Sequence, residues 1–289
     1  MKNYYEILEG KRKPKFITHK DSLEKALSDA KGIMHSCEFC ERKCMVDRLE
    51  GEKGFCGVGK EWSIFGAHTH LGEEPDLVPS ATLFLAGCPL RCCYCQNAPE
   101  SIMPNMGDIW KDTEVVHWIN AKYAEGCKNV NFVTPDCYVW NILKVLSDVK
   151  SPIPVVWNSS SYYSEKTALL IKDSVDVYLL DFRYFQNSCA ERLSQAPNYA
   201  DVAKRNLLLA NKYGDVLIRV LILPNHIICC TKPILKWIKD KLGSNTRVNI
   251  MEQYHPVWKA VREIDRRLTP KEYHECVEYA QKIGLKNLV

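Results

Sequence analysis

Six short runs of β-branched and aromatic residues recur along the chain, each followed by a longer stretch whose apolar positions return at helical spacing. The runs are 81–87 (ATLFLAG), 129–135 (NVNFVTP), 154–160 (PVVWNSS), 176–182 (DVYLLDF), 216–224 (VLIRVLILP) and 247–254 (RVNIMEQY). They predict strands. The stretches 113–126, 139–149, 164–173, 199–214 and 232–243 predict helices, several of them stopped by glycine. Near-continuous apolar strands alternating with helices imply a parallel sheet with helices outside, joined by right-handed crossovers. Six units fall short of an eight-fold barrel. The expected class is therefore α/β, a partial (β/α)6 TIM-type barrel over 81–260, with its chemistry at the C-terminal ends of the strands. Residues 1–80 lack the alternation and predict an N-terminal cysteine-rich, metal-binding extension covering one face. Residues 261–289, with Thr269-Pro270 as a start and Gly284 as a stop, predict a C-terminal helix packing on the barrel.

Composition changes this picture in one respect. The 289 residues carry 39 Lys plus Arg against 35 Asp plus Glu, a net +4 too small and too mixed to imply nucleic-acid binding. No apolar run approaches about eighteen residues, since Arg219 interrupts the longest, so no membrane span is expected. The first twenty residues are polar and basic, without a secretory h-region, which makes the cytoplasm the expected compartment. In that reducing setting the 14 cysteines read as metal ligands or catalytic groups where they cluster. Cys37, Cys40, Cys44 and Cys56 form one cluster, and Cys88, Cys92, Cys93 and Cys95 another. Cys127, Cys137, Cys189, Cys229, Cys230 and Cys276 are scattered and read as small buried hydrophobes.

Directly after the first strand, GCPLRCCYCQN places Cys88, Cys92 and Cys95 in a Cys-x3-Cys-x2-Cys pattern. Three thiolates on one loop can hold three irons of a cubane cluster and leave the fourth without a protein ligand. Cys93, between two ligands, must point elsewhere. A zinc site is the alternative for any three-cysteine loop.

Cys-x3-Cys-x-Tyr-Cys after the first strand of a partial barrel resembles the radical S-adenosylmethionine (SAM) superfamily. The segments HLGEEPDL, GCPLRCCYCQN, NVNFV, PVVWNSSSYY, VDVYLLDFRY, IRVLILP and NIMEQYHP, in that order, resemble its pyruvate formate-lyase activating enzyme-like branch. The resemblance implies a 4Fe-4S cluster on Cys88, Cys92 and Cys95. SAM would be chelated at the open iron and cleaved by one electron to a 5′-deoxyadenosyl radical that takes hydrogen from substrate. It implies an electron donor such as flavodoxin or ferredoxin. Tyr94 would lie against adenine, with Asn97 beside it. Thr134, Pro135 and Asp136 stand where the family has Gly-Gly-acid and contacts the SAM amino group. That is a departure, because Pro135 has no N–H and two glycines are lost. Asn158, Ser160, Asp181 and Arg183 correspond to ribose and carboxylate contacts, and Leu223 to adenine packing. Arg219 reads equally as a SAM contact or as a barrel-lining ion pair.

The same branch carries an N-terminal Cys-x2-Cys-x3-Cys ahead of a Gly-x-x-Gly-x-Cys, matched by Cys37, Cys40, Cys44 and Cys56. Four thiolates fit one structural iron or zinc ion, the favoured reading, or an auxiliary iron-sulfur cluster. Cys137, His226 and several strand-end aromatics suggest a site for a protein or peptide substrate. Three functions compete: activation of a glycyl-radical partner, cobalamin-dependent methylation of a protein residue (as in methyl-coenzyme M reductase), and a non-catalytic iron-sulfur or zinc scaffold.

Overall fold

The computed structural model describes residues 1–289. The six strand-like runs form β2 (Ser80–Leu85), β4 (Asn129–Val133), β5 (Val155–Ser159), β6 (Val177–Asp181), β7 (Asp215–Leu221) and β8 (Arg247–Met251). They lie side by side in chain order and all parallel. The predicted helices are α4 (Asp112–Ala124), α5 (Val139–Asp148), α6 (Glu165–Ile171), α8 (Tyr199–Tyr213) and α9 (Lys232–Leu242), with α10 (Pro270–Lys282) near the C-terminus. Thr269 caps α10, accepting from the Glu272 amide, and Glu272 reciprocates at the Thr269 amide.

Two strands were not predicted. β1 (Trp62–His70) pairs antiparallel with β2, and β3 (Asp108–Trp110) pairs antiparallel with β1, giving an eight-stranded, mostly parallel sheet. β1 evades the alternation because a register shift between Ile64 and Gly66 breaks its period of two. Residues 1–80 thus contribute a strand to the sheet as well as the helices α1 (Lys2–Leu8), α2 (Lys15–Thr18) and α3 (Lys20–Met34). α7 (Asn187–Ser194) was also missed. No helix is long and apolar enough to cross a membrane.

Alternation along the strands sorts the inner face into two levels. Toward the N-terminal ends, Val156, Val177, Leu179 and Leu217 form an apolar layer with Tyr4 and Leu77. One register step toward the C-terminal ends, Asn158, Asp181 and Arg219 replace them and line a cavity. α1 covers the apolar end, where the Tyr4 amide donates to Asp215 (2.7 Å) and Asn129 donates to the Tyr4 hydroxyl (2.8 Å). Residues 73–77 cross the inner face. Glu74 pairs with Arg219 (2.6 Å), Asp76 with Arg247 (2.9 Å), and Asn129 donates to the Leu77 carbonyl (2.6 Å), so one segment touches strands from both halves of the sheet.

Candidate active site

β2 ends at Leu85, and Gly87 turns the chain with φ +85°. A Cβ there would meet Val58 at 2.3 Å and the Cys56 carbonyl at 2.9 Å, so only glycine allows this turn and this approach. The turn launches the loop of Cys88, Cys92 and Cys95 and seats it against the N-terminal cysteine corner. Arg91 locks the loop by donating to the Cys88 carbonyl (2.7 Å) and the Phe55 carbonyl while stacking 4.2 Å from the Phe55 ring.

Each of the three sulfurs has a polar neighbour. The Leu90 amide donates to Cys88 (3.4 Å), Ser194 to Cys92 (2.9 Å), and Ser101 shares a hydrogen bond with Cys95 (3.1 Å). Arg183 places Nη1 3.9 Å from the Cys92 sulfur and Nη2 2.5 Å from Asp181. Burial pushes the Cys88 and Cys92 thiols up, and the charges of neighbouring cysteines add to it. Thiolates here therefore need a cation. Burial opposes the Arg183 charge, yet Asp181 and Cys92 hold its pKa well above the ordinary value. The Cys93 sulfur instead faces the Val261 amide.

Of the residues expected to contact SAM, Tyr94, Asn97, Asn158, Asp181, Arg183 and Arg219 line the cavity, as does Cys95. Tyr94 hydrogen-bonds Tyr184 through their hydroxyls (2.5 Å) and meets Tyr254 edge to face. Arg219 lines the cavity and is also the ion pair, bonded to Glu73 and Glu74. Leu223 does not line the cavity and lies in the hydrophobic core; β7 stops at Leu221, which lines the cavity in its place. Leu223 lies two residues past the end of β7, outside the strand's alternation.

Thr134 adopts φ +61°, ψ 49°, the left-handed conformation a glycine would take. The turn that the lost glycines put in doubt is thus formed, at the steric cost of a β-branched residue. Asp136 is fully buried, its Oδ1 accepting from Ser159 (2.7 Å) and its Oδ2 unpartnered. Burial raises its pKa to about 7. Ser160 Oγ, Asn131 Oδ1 and Arg183 Nε are likewise buried without partners, four such atoms around the strand ends. Asn131 was missed, though a polar residue inside NVNFV was a readable signal. Gln253, at the end of the strand-like run 247–254, also lines the cavity, as do His70 and Glu73, which come from a segment with no strand pattern to place them. Tyr138, Tyr162, Tyr163, Tyr184 and Tyr254 are core side chains that do not line it.

Cys37, Cys40, Cys44 and Cys56 gather beside the loop. The Phe55 amide donates to Cys44 (3.3 Å), the Arg48 guanidinium lies by Cys37, and a hydrogen bond from Cys137 favours the Cys56 thiolate and lowers its pKa. No three of these four sulfurs, nor the three of Cys88, Cys92 and Cys95, lie within 4.8 Å of one another.

No family model matches the chain. It is 43% identical over 266 residues to the Methanocaldococcus jannaschii protein MJ0674, described as uncharacterised, covering 89% of this chain and 77% of that one. Similarity to MJ0808 of the same organism is 22% over 255 residues, 77% of this chain and 71% of that protein. Among solved structures, HydG, a maturase of the [FeFe]-hydrogenase, superposes with a TM-score of 0.53 at 13% identity over 98% of this chain. The chain spans 64% of HydG's length and shares its fold.

Proposed function

We propose a function for a chain that belongs to the family of MJ0674: it is a radical SAM enzyme that abstracts hydrogen from a residue of a partner protein or peptide. One observation carries this reading. A three-cysteine loop follows the first parallel strand and borders a cavity walled by polar residues from successive strand ends, two of which, Asn131 and Arg183, carry buried polar atoms without partners. We read the sheet as the wall of a partial (β/α)6 barrel, because one cavity draws side chains from β1, β2 and β4 through β8.

The donor set fits the groups that the reading requires. One tetrahedral zinc, with Zn–S of about 2.3 Å, sets sulfurs about 3.8 Å apart. The sulfurs of Cys88, Cys92 and Cys95 do not all lie within 4.8 Å of one another, while the charges of Cys92 and Cys95 still raise the Cys88 thiol, a looser set than one zinc ion would draw together. A 4Fe-4S cluster with SAM on its open iron supplies one-electron cleavage of the sulfonium and a carbon radical. Arg183 would sit between the Cys92 sulfur and the SAM carboxylate, held in place by Asp181. Asn158 lines the cavity and would meet the ribose hydroxyls; Asp136, whose Oδ2 has no partner, and Ser160 lie buried behind the cavity wall and would reach SAM only once it opens. Cys37, Cys40, Cys44 and Cys56 would hold one structural iron or zinc ion, or an auxiliary cluster.

A macromolecular substrate is supported by the cavity's surroundings. Leu71, Met103, Met106 and Trp258 are exposed apolar residues on segments adjoining the cavity or the cysteine loop. Lys259, next to Trp258, donates its amide to the Cys93 carbonyl (2.8 Å). Exposed apolar groups on these segments suit a peptide more than a polar metabolite.

The test is anaerobic reconstitution with iron and sulfide, with and without cobalamin, then reduction, addition of SAM and quantification of 5′-deoxyadenosine and S-adenosylhomocysteine. Deoxyadenosine alone is the expected result and favours the glycyl-radical activase type. Cobalamin-dependent S-adenosylhomocysteine alongside it would make the enzyme a methyltransferase. Neither product from a fully loaded, reduced protein would leave a scaffold.

A further inference from the structure

Four residues that look unrelated in the sequence meet away from the cavity. Cys189 projects from α7, and His226, Cys229 and Cys230 come from the π-helical turn Ile227–Thr231 and the residue before it. Their ligand atoms all lie within 4.8 Å of one another, the one group of three or more such residues in the chain to do so. Three of the four residues are buried, and Cys229 is partly exposed.

We propose that Cys189, His226, Cys229 and Cys230 form a closed tetrahedral Cys3His site for a zinc-class divalent ion. Three sulfurs and one imidazole at this spacing match a structural zinc set, whose sulfurs stand about 3.8 Å apart around an ion at about 2.3 Å.

The surroundings match as well. His226 Nδ1 faces the Cys229 sulfur at 3.4 Å, while Nε2 faces the Glu263 carboxylate at 3.5 Å. A metal-bound histidine needs such a partner, because a carboxylate on the second ring nitrogen fixes the tautomer and aims the first at the ion. Glu263 is held by Arg192 Nε at 2.9 Å, and Arg192 Nη2 lies 4.0 Å from the Cys189 sulfur. Three thiolates on a divalent ion leave one negative charge, and Arg192 is placed to balance it. The Phe185 and Gln186 amides hydrogen-bond the Cys230 sulfur. The wide π turn lets two adjacent cysteines serve one ion, and such turns recur at functional sites.

Binding is acid-base chemistry without redox. Neutral His226 keeps its one ring proton on Nε2, three thiols release three protons to solvent, and the ion takes three sulfurs and one nitrogen. The ion would tie α7 to the turn after β7. α7 also supports the cysteine loop, since Ser194 bonds Cys92 while the Leu193 and Ser194 carbonyls accept from the Cys93 and Arg91 amides.

The test uses the full chain, reduced and stripped of metal under anaerobic conditions, then loaded with Zn2+ alone. Alkylation of each cysteine is followed by mass spectrometry. Cys229 should react readily in the stripped protein and at least ten-fold more slowly once zinc is bound, with chelator restoring the reactivity. C229S and H226A should each bind one zinc equivalent fewer than wild type, whatever the other cysteine sets bind. Unchanged zinc content in both variants, or alkylation of Cys229 insensitive to zinc in the unaltered chain, overturns the site. Protection reversed by a thiol reductant and not by chelator would mean a disulfide and would overturn it too.

Discussion

The cysteine loop after β2 and the corner between α7 and the β7 exit are both sulfur-rich, but they are built on opposite plans. The loop's three sulfurs do not all come within 4.8 Å of one another, and they sit beside a cavity with unpartnered polar atoms. The corner draws three sulfurs and an imidazole within 4.8 Å, with a carboxylate behind the histidine. Open spacing beside a cavity suits a cluster with a vacant iron, whereas closed spacing with no fifth position suits one structural ion. On these assignments sulfur geometry, more than cysteine count, separates chemistry from scaffolding.

The largest effect should come from the loop. C88A, C92A and C95A should each prevent cluster assembly and bring deoxyadenosine formation to background, while C93A keeps both, since its sulfur faces the Val261 amide. Iron content and product yield check this together. Cleavage retained in any of the three alanine variants would break the distinction between the two regions.

C189S/C229S should show the converse. Lost ion-binding energy is lost folding energy, so the melting temperature should drop by roughly 5–10 °C while SAM cleavage persists. Calorimetry with and without chelator checks it. Wild type should fall with chelator to the level of the variant, and the variant should not respond at this site.

Contiguity explains why one region was legible in the sequence and the other was not. Cys88, Cys92 and Cys95 share one loop behind an apolar strand, so spacing alone exposes them. Cys189 and His226 are joined only by the packing of α7 against the turn after β7, and no local pattern records that contact. The parallel strands β2 and β4 through β8 were legible because burial on both faces makes each run almost wholly apolar. β1 was hidden by its bulge and β3 by its three-residue length. Asn158, Asp181 and Arg219 stood out as polar residues ending or interrupting apolar runs. Leu223, carried over from the family resemblance, fell outside the cavity because β7 ends at Leu221.

A smaller effect sharpens the account of the cavity. Asp136 has a folded-state pKa near 7 against an ordinary value of 3.8. Between those values the native protein holds a proton that the unfolded chain has released. Stability from this group is therefore complete below about pH 4 and is lost as pH rises through about 7. The full swing is at most about 4 kcal/mol. D136N should remove that slope, raise stability of the cofactor-free protein at pH 8, and weaken SAM binding. Denaturant melts at pH 5 and pH 8, with SAM titrations, check both halves. A slope unchanged in D136N would show that Oδ2 is already ionised and satisfied.

The smallest effect lies one turn earlier, at Thr134. A β-branched residue held at φ +61° bears strain of about 1–2 kcal/mol that glycine would not bear, set against glycine's greater freedom in the unfolded chain. T134G should therefore stabilise by about 0.5–1 kcal/mol, whereas T134A, which keeps a Cβ, should not. The threonine side chain is only partly buried, so little packing is lost in either variant. SAM affinity should stay level in T134G, because the turn already has the path glycine would give it. Urea melts of the two variants separate backbone from side chain. Comparable loss of stability in both variants would mean that the hydroxyl or methyl of Thr134 holds the turn, whereas loss in T134G alone would mean that glycine's freedom in the unfolded chain outweighs the strain it relieves.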